Sequence, residues 1–127
     1  MTIKPFLSVV VLGLYFLTSC NSGVSPNREE LTESPKEAVE EKKIAYGKSI
    51  YESNCAGCHN SNVAGAPTPS EKADWVDRMP QGIEVMAKKS IQGFEGKKGV
   101  MPPKGGNSVL TGQEVTNAVL YMVKVSQ

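Results

Sequence analysis

The run Cys55-Ala56-Gly57-Cys58-His59 is a C-x-x-C-H pattern, and its spacing dictates a chemistry. Two thiols three positions apart can add to the two vinyl groups of one porphyrin, and the histidine directly after the second thiol is then held beneath the ring as an iron ligand. The pattern predicts one covalent haem c, attached through Cys55 and Cys58 with His59 as an axial ligand. Other uses of paired cysteines fit poorly. A structural zinc site needs about four Cys or His ligands, and the chain has only Cys20, Cys55, Cys58 and the single histidine His59. A thioredoxin-like pair needs strand-helix-strand patterning around it, whereas these flanks read as helix before and Gly/Pro loop after. An incidental pair of small buried thiols is the reading left standing against haem.

The sixth position of the iron separates a carrier from a catalyst. Of the five methionines, Met1 leaves with the signal segment described below, and Met79 precedes a proline in a polar stretch. Met86 and Met122 fall on apolar helical faces, where packing is their ordinary role. Met101 stands in the loop Gly99-Val100-Met101-Pro102-Pro103-Lys104-Gly105-Gly106. A residue before proline is biased toward extended backbone, and Pro-Pro stiffens the loop that would hold the sulfur against iron. Met101 is therefore the expected distal ligand. His/Met coordination is the electron-transfer combination, because the soft thioether favours reduced iron and a filled sixth site excludes oxygen chemistry.

The N-terminus assigns a compartment. Lys4 precedes an apolar run from Phe6 to Leu17, which is the length of an export-signal core and short of the roughly 20 residues that span a bilayer. The run ends in Leu17-Thr18-Ser19-Cys20, which resembles the lipobox of bacterial lipoproteins, in which the cysteine is acylated and becomes the first residue after cleavage. Residues 1–19 then form a lipoprotein signal peptide and Cys20 the lipidation site, the alternative being an uncleaved membrane anchor. Acylation also accounts for the odd third cysteine. A single acyl chain binds only marginally, so two or three on one cysteine are needed for stable attachment. Residues 20–34 are rich in Ser, Asn, Pro and Glu and read as a disordered acidic tether, with a typical span on the order of 20 Å. Charge is divided unevenly. Residues 21–41 hold Arg28 and Lys36 against six glutamates, a net of −4, while residues 42–127 hold eleven Lys/Arg against seven Asp/Glu, a net of +4.

Residues 35–127 read as one all-helical domain. Ser34-Pro35-Lys36-Glu37 has an N-cap serine, proline at the first helical position and glutamate at the third, a capping box. Ile44, Gly47 and Tyr51 follow at helical spacing, and this helix delivers Cys55. A second helix is expected between Pro80 and Gly93, with Ile83, Met86, Ala87 and Ile91 on one face and Gly93 as the stop. A third starts at Thr111, where Glu114 completes another capping box ahead of Val115, Ala118, Val119 and Met122. Strand patterning and internal repeats are absent. A domain this small buries only a modest core, so a haem sewn into its middle would be a structural element as well as a cofactor.

From about Tyr46 to Met122 the chain resembles the class I c-type cytochromes, and specifically the bacterial cytochrome c5 group. The resemblance is carried by Cys55-Ala56-Gly57-Cys58-His59, Gly65-Ala66-Pro67, Trp75 with Arg78 and Gln81-Gly82, Gly93-Phe94, and Met101-Pro102-Pro103-Lys104-Gly105. It implies four to five helices around one covalent haem, with the first and last helices crossing where Gly47 and Tyr51 meet Ala118 and Tyr121. It implies single-electron transfer between larger redox proteins, with no enzymatic activity, no small-molecule substrate and no nucleic acid. It further implies that the Pro67 carbonyl accepts a hydrogen bond from the free ring nitrogen of His59, the outer contact that orients an axial histidine. Trp75 and Arg78 would lie near the haem propionates, a core tryptophan and a solvated arginine being the plainer alternative. Lys88, Lys89, Lys97, Lys98 and Lys104 flank the Met101 loop, on the side where class I cytochromes expose a haem edge. They form a basic docking collar or are ordinary solvated lysines. One departure stands out: many c5-group members carry a cysteine pair just after the methionine loop, and Gly105-Gly106-Asn107-Ser108-Val109-Leu110 has none.

The function expected is thus a membrane-anchored electron carrier on the periplasmic or extracytoplasmic face. A cytochrome subunit fixed to an oxidase or dehydrogenase would show the same motifs, and a haem sensor or enzyme would need a labile sixth ligand. The anchor is tested by mass spectrometry of the mature N-terminus. The expected peptide begins at Cys20 and bears acyl mass, the protein sediments with membranes, and Cys20→Ala abolishes processing to the lipid-bearing form; a peptide starting at Cys20 without added acyl mass would sink the anchor.

Overall fold

The computed structural model describes residues 34–127. The signal peptide, Cys20 and nearly all of the tether expected from the sequence lie outside the described residues. Two reciprocal caps start the first and last helices. In α1, Pro35–Asn54, the Glu37 N–H donates to Ser34 Oγ at 3.3 Å and the Ser34 N–H donates to Glu37 Oε2 at 2.8 Å. The same exchange between Thr111 and Glu114, at 3.2 and 2.8 Å, opens the C-terminal helix Gly112–Val125. Each bond satisfies a backbone donor that the helix itself leaves without a partner. The N-cap backbone N–H is the main reason both carboxyls sit below the usual carboxylate range.

Between the caps the chain runs through short elements. α1 passes at Cys55 into the single turn α2, Ala56–His59, with the Cys55 N–H still donating to the Tyr51 carbonyl at 2.8 Å. Three 3₁₀ turns follow, Val63–Gly65, Lys72–Trp75 and Met79–Gln81. They lead into α3, Gly82–Gln92, which stops where expected. Gly93 has φ 85° and ψ 157°, a backbone region essentially restricted to glycine. A fourth 3₁₀ turn, Pro103–Gly106, precedes α4, Gly112–Val125.

One element departs from the expected absence of strands. Phe94–Glu95 (β1) pairs antiparallel with Val100–Met101 (β2), Phe94 opposite Met101 and Glu95 opposite Val100. Two rungs are too few to write a period-two pattern, and the turn between them, Gly96 to Gly99, is closed by one backbone bond of 2.8 Å. The pair matters because it fixes the backbone of Met101.

α4 packs on α1 and α3 and supplies most of the core. Tyr51, Trp75, Met86, Ala118, Val119, Met122 and Val123 form one buried cluster, with Ile50, Met79, Ile83 and Tyr121 packed on it. The α1–α4 crossing expected from the family resemblance is present at Gly47. A Cβ built there would lie 2.0 Å from the Asn117 carbonyl oxygen and 2.4 Å from its carbon, so backbone meets backbone. One turn later the Tyr51 and Tyr121 rings meet at a tilted 5.4 Å between centroids, within the range of favourable aromatic pairs. Tyr46 Oη donates to Glu114 Oε1 at 2.9 Å on the other side of the crossing. Among the described residues no helix is long and apolar enough to cross a membrane.

Alanine normally exceeds glycine in a helix interior by about 1 kcal/mol, so the sign of a Gly47→Ala change reports the crossing. The expected outcome is a loss of about 1–3 kcal/mol from overpacking, read as a lower guanidinium midpoint of the haem protein. A neutral or stabilising result would show that the helices separate without cost.

Candidate haem site

The segment that carries the C-x-x-C-H run folds as the end of one helix and the start of another, which brings both thiols and the imidazole to the wall of one cavity. Cys55 is half-buried and Cys58 is exposed. Burial, and secondarily the nearby Cys58, pushes the Cys55 thiol above its usual range, so before attachment it is held as the protonated thiol. A thioether at that position no longer titrates.

His59 is buried, and its ring is fixed by one bond. Nδ1 lies 2.8 Å from the Pro67 carbonyl oxygen. A carbonyl can only accept, so Nδ1 carries the proton and Nε2 presents a lone pair. Burial is the main influence holding the imidazole below its ordinary range; the Pro67 carbonyl works the other way, and the charge of Arg78 adds to the lowering. The ring is thereby kept neutral, the form that binds metal.

A chain of small contacts brings Pro67 to that place. Asn62 Nδ2 donates to the Ala66 carbonyl at 2.9 Å, and backbone bonds from Gly65 to Asn62 and from Ala66 to Val63 close the turn. Ala64 adopts φ 49°, a left-handed conformation costing about 1–2 kcal/mol outside glycine. Across from it, a Cβ at Gly99 would sit 2.3 Å from the Ala64 carbonyl oxygen, so only glycine lets the β1–β2 turn close on this loop. On the other side of Pro67, Trp75 Nε1 donates to the Thr68 carbonyl at 2.9 Å, and the Thr68 N–H donates to Asp74 Oδ2 at 3.0 Å.

These segments enclose one cavity of about 660 Å³, within the size range of cofactor sites. Its lining gathers Cys55, Cys58, His59, Pro67, Trp75, Arg78, Lys89, Lys97, Lys98, Met101 and Lys104, together with the core residues Met86, Val115, Ala118, Val119 and Met122. Lys88 is not among them. Neighbouring helical positions point about 100° apart, so Lys89 reaches the cavity while Lys88 stays in solvent. The residues assembled suit a flat, largely apolar tetrapyrrole: two thiols for its vinyl groups, a neutral imidazole, a thioether sulfur, and cationic groups at the rim. Among the described residues no cluster of three His, Cys, Asp or Glu side chains could hold a bare metal ion.

Trp75 and Arg78, expected near the propionates, both line the cavity; the tryptophan is also core and Arg78 donates through Nη1 to the Asp74 carbonyl. Two contacts carry no mark in the sequence. Tyr51 Oη donates to Asn60 Oδ1, next to His59, and Asn54 binds Asn107. None of the three asparagines carries a spacing signal, because its partner is supplied by the fold.

Comparison with known proteins agrees with the site. The family model for cytochrome c matches residues 44–126. Cytochrome c-555 of Chlorobaculum tepidum is 48% identical over 83 residues, covering 65% of this chain and 77% of the relative. Cytochrome c5 of Ectopseudomonas mendocina is 31% identical over 75 residues, covering 58% and 82%. A chain in the crystal structure of an electron transfer complex of nitrite reductase with cytochrome c is similar at TM-score 0.57 and 30% identity, covering 65% of this chain and 95% of that one. The chain belongs to the cytochrome c family as a class I c-type cytochrome, a small electron carrier with covalent haem c.

Proposed function

We propose that this cytochrome is a membrane-anchored single-electron carrier whose haem is held by Cys55 and Cys58 and ligated by His59 and Met101. The observation that carries the reading is the convergence of those four side chains on one cavity, with His59 Nε2 left free by the bond from Nδ1 to Pro67. Bound haem c supplies a single reversible electron at iron. The chain does the rest. Cys55 and Cys58 fix the ring in position, Pro67 sets the plane of the imidazole, and β1 with Pro102-Pro103 holds the Met101 backbone. Trp75 and Arg78 line the same cavity and serve the propionate end. Met86 and Met122 also reach the cavity, but they are buried core side chains on α3 and α4, whereas Met101 is presented by a loop that nothing else requires to face inward. With His59 and Met101 both bound, iron would have no position open to a substrate, and the site would favour electron exchange over chemistry at a bound substrate.

Export and anchoring rest on residues 1–20, and the partner class rests on charge. Lys97 and Lys98 are exposed in the β1–β2 turn at the cavity mouth, Lys89 lies over the Phe94 ring at 4.7 Å, and Lys104 donates to the Ser108 carbonyl at 3.2 Å. Transient redox complexes are small, burying less than about 1,200 Å², and rely on electrostatic steering for their encounter rate. An acidic redox protein fits this face, and the similar cytochrome c seen in an electron transfer complex with nitrite reductase supports a redox protein as partner.

Ligation is tested by Met101→Ala. Wild type is expected to be low-spin, to show the weak long-wavelength absorption of a thioether–iron bond when oxidised, and to resist carbon monoxide when reduced. The variant should lose the band, bind carbon monoxide readily and fall in potential, while Met86→Leu and Met122→Leu keep the band.

Docking is tested by charge reversal. Electron exchange with an acidic partner should slow as ionic strength rises, and Lys97→Glu with Lys98→Glu should slow it further with the haem spectrum intact. Rates indifferent to both salt and charge would reject steering through this face.

A further inference from the structure

Two side-chain amides join the thiol-bearing end of α1 to the loop that carries Met101. Asn107 Nδ2 donates to Asn54 Oδ1 at 2.8 Å, across 53 positions of sequence. Their other partners fix the orientation of both amides. The Val109 N–H can only donate, so the Asn107 atom 3.1 Å from it is the oxygen. The Ile50 carbonyl can only accept, so the Asn54 atom 3.0 Å from it is the nitrogen. One donor on Asn107 and one acceptor on Asn54 are left facing each other, and flipping either amide would set like against like.

The pair sits where it can govern the methionine. Asn54 directly precedes Cys55 and lines the cavity. Asn107 closes the chain reversal after Met101. In that reversal Lys104, Gly105 and Gly106 take φ of 53°, 66° and 91°, the Gly105 N–H donates to the Pro102 carbonyl at 3.0 Å, and the Asn107 N–H donates to the Lys104 carbonyl at 3.3 Å. The reversal passes close over Asn54, since a Cβ at Gly105 would lie 3.5 Å from the Asn54 backbone oxygen. On its other side Met101 is paired with Phe94. The loop is thus fastened at one end by the β pair and at the other by Asn107 on Asn54.

We propose that Asn107, acting through Asn54, is a positioning residue for the Met101 sulfur: the amide pair keeps the loop shut and so holds the thioether on iron against competing ligands. The inference rests on Met101 being the axial ligand. A thioether is an uncharged, exchangeable donor, so the time it spends off the iron is set by how often its loop opens, and local opening is governed by the few bonds that close it.

Asn107→Asp isolates the effect, because the carboxylate still accepts from Val109 but cannot donate to Asn54. Asn54→Asp adds the same charge to the same pair and keeps an acceptor facing Asn107, while giving up the bond to the Ile50 carbonyl. The measurement is imidazole titration of the oxidised, haem-loaded full chain, followed by loss of the long-wavelength thioether band. Asn107→Asp is expected to raise the apparent imidazole affinity about fivefold, the population change that one net hydrogen bond supplies, and Asn54→Asp is expected to raise it clearly less. Asn54→Ala removes the acceptor and leaves the Asn107 turn whole, so it should reproduce the gain if Asn107→Asp fails to retain haem. Unchanged affinity in Asn107→Asp and Asn54→Ala would overturn the proposal, as would equal gains in the two aspartate variants, which would trace the effect to charge. A wild type without the band, or a Met101→Ala protein that retains it, would instead overturn the ligand assignment and the clamp with it.

Discussion

The side chain that Gly47 lacks sets the geometry of everything downstream in α1. With no Cβ, the helix comes to rest with its backbone against the Asn117 carbonyl of α4, and this contact fixes how far α1 has rotated about its own axis. Residues four apart on a helix share a face, so Gly47, Tyr51 and Cys55 follow one another along the seam. Tyr51 then meets Tyr121, and the first thiol arrives at the cavity edge instead of in solvent. A crossing held at side-chain distance would carry the whole last turn outward.

That last turn also distributes hydrogen bonds to the segments around the cavity. Tyr51 reaches Asn60, beside His59, and Asn54 reaches Asn107, beyond the methionine loop. The histidine itself is held from a third direction by Pro67, whose neighbour Thr68 is tied to Trp75 and Asp74. Each tie is modest, since a hydrogen bond contributes about 1 kcal/mol net, but together they leave the ring and the loop few ways to move. In the proposed reading a preorganised set of ligands loses little freedom on taking up its cofactor, and a covalent link at Cys55 and Cys58 would make the occupancy permanent.

Charge tells a second, looser story. The lysines at the cavity mouth are spread over α3, the β1–β2 turn and the turn after Met101, so their proximity is a product of the fold, while the acidic excess before residue 42 is a product of composition alone. The acidic stretch runs into the first turns of α1, with Glu37, Glu40 and Glu41 inside the helix, and in the proposed reading the basic face is turned to a partner. Exchange through weak encounters suits a carrier confined near one surface, because steering rather than tight packing sets its rate.

Much of this was legible in the chain because it is local. Thiol, thiol and imidazole within five residues announce haem c, the two capping boxes announce where α1 and α4 begin, and Gly93 announces where α3 ends; each depends on bonds between positions three or four apart. The β1–β2 pair escaped notice because two rungs cannot establish a period. Asn54 with Asn107, Tyr51 with Asn60, and Ala64 against Gly99 escaped because what makes them matter is not spacing but meeting, and an asparagine or glycine carries no mark of the partner it will meet. The same division runs through the lysines, where Lys88 and Lys89 are equivalent as letters and only the rotation of α3 sends the second to the cavity. Sequence alone determined which chemistry the chain carries, since covalent attachment needs only neighbours; the tertiary structure decided which distant groups hold that chemistry in place, since those contacts exist only after the chain has closed on itself.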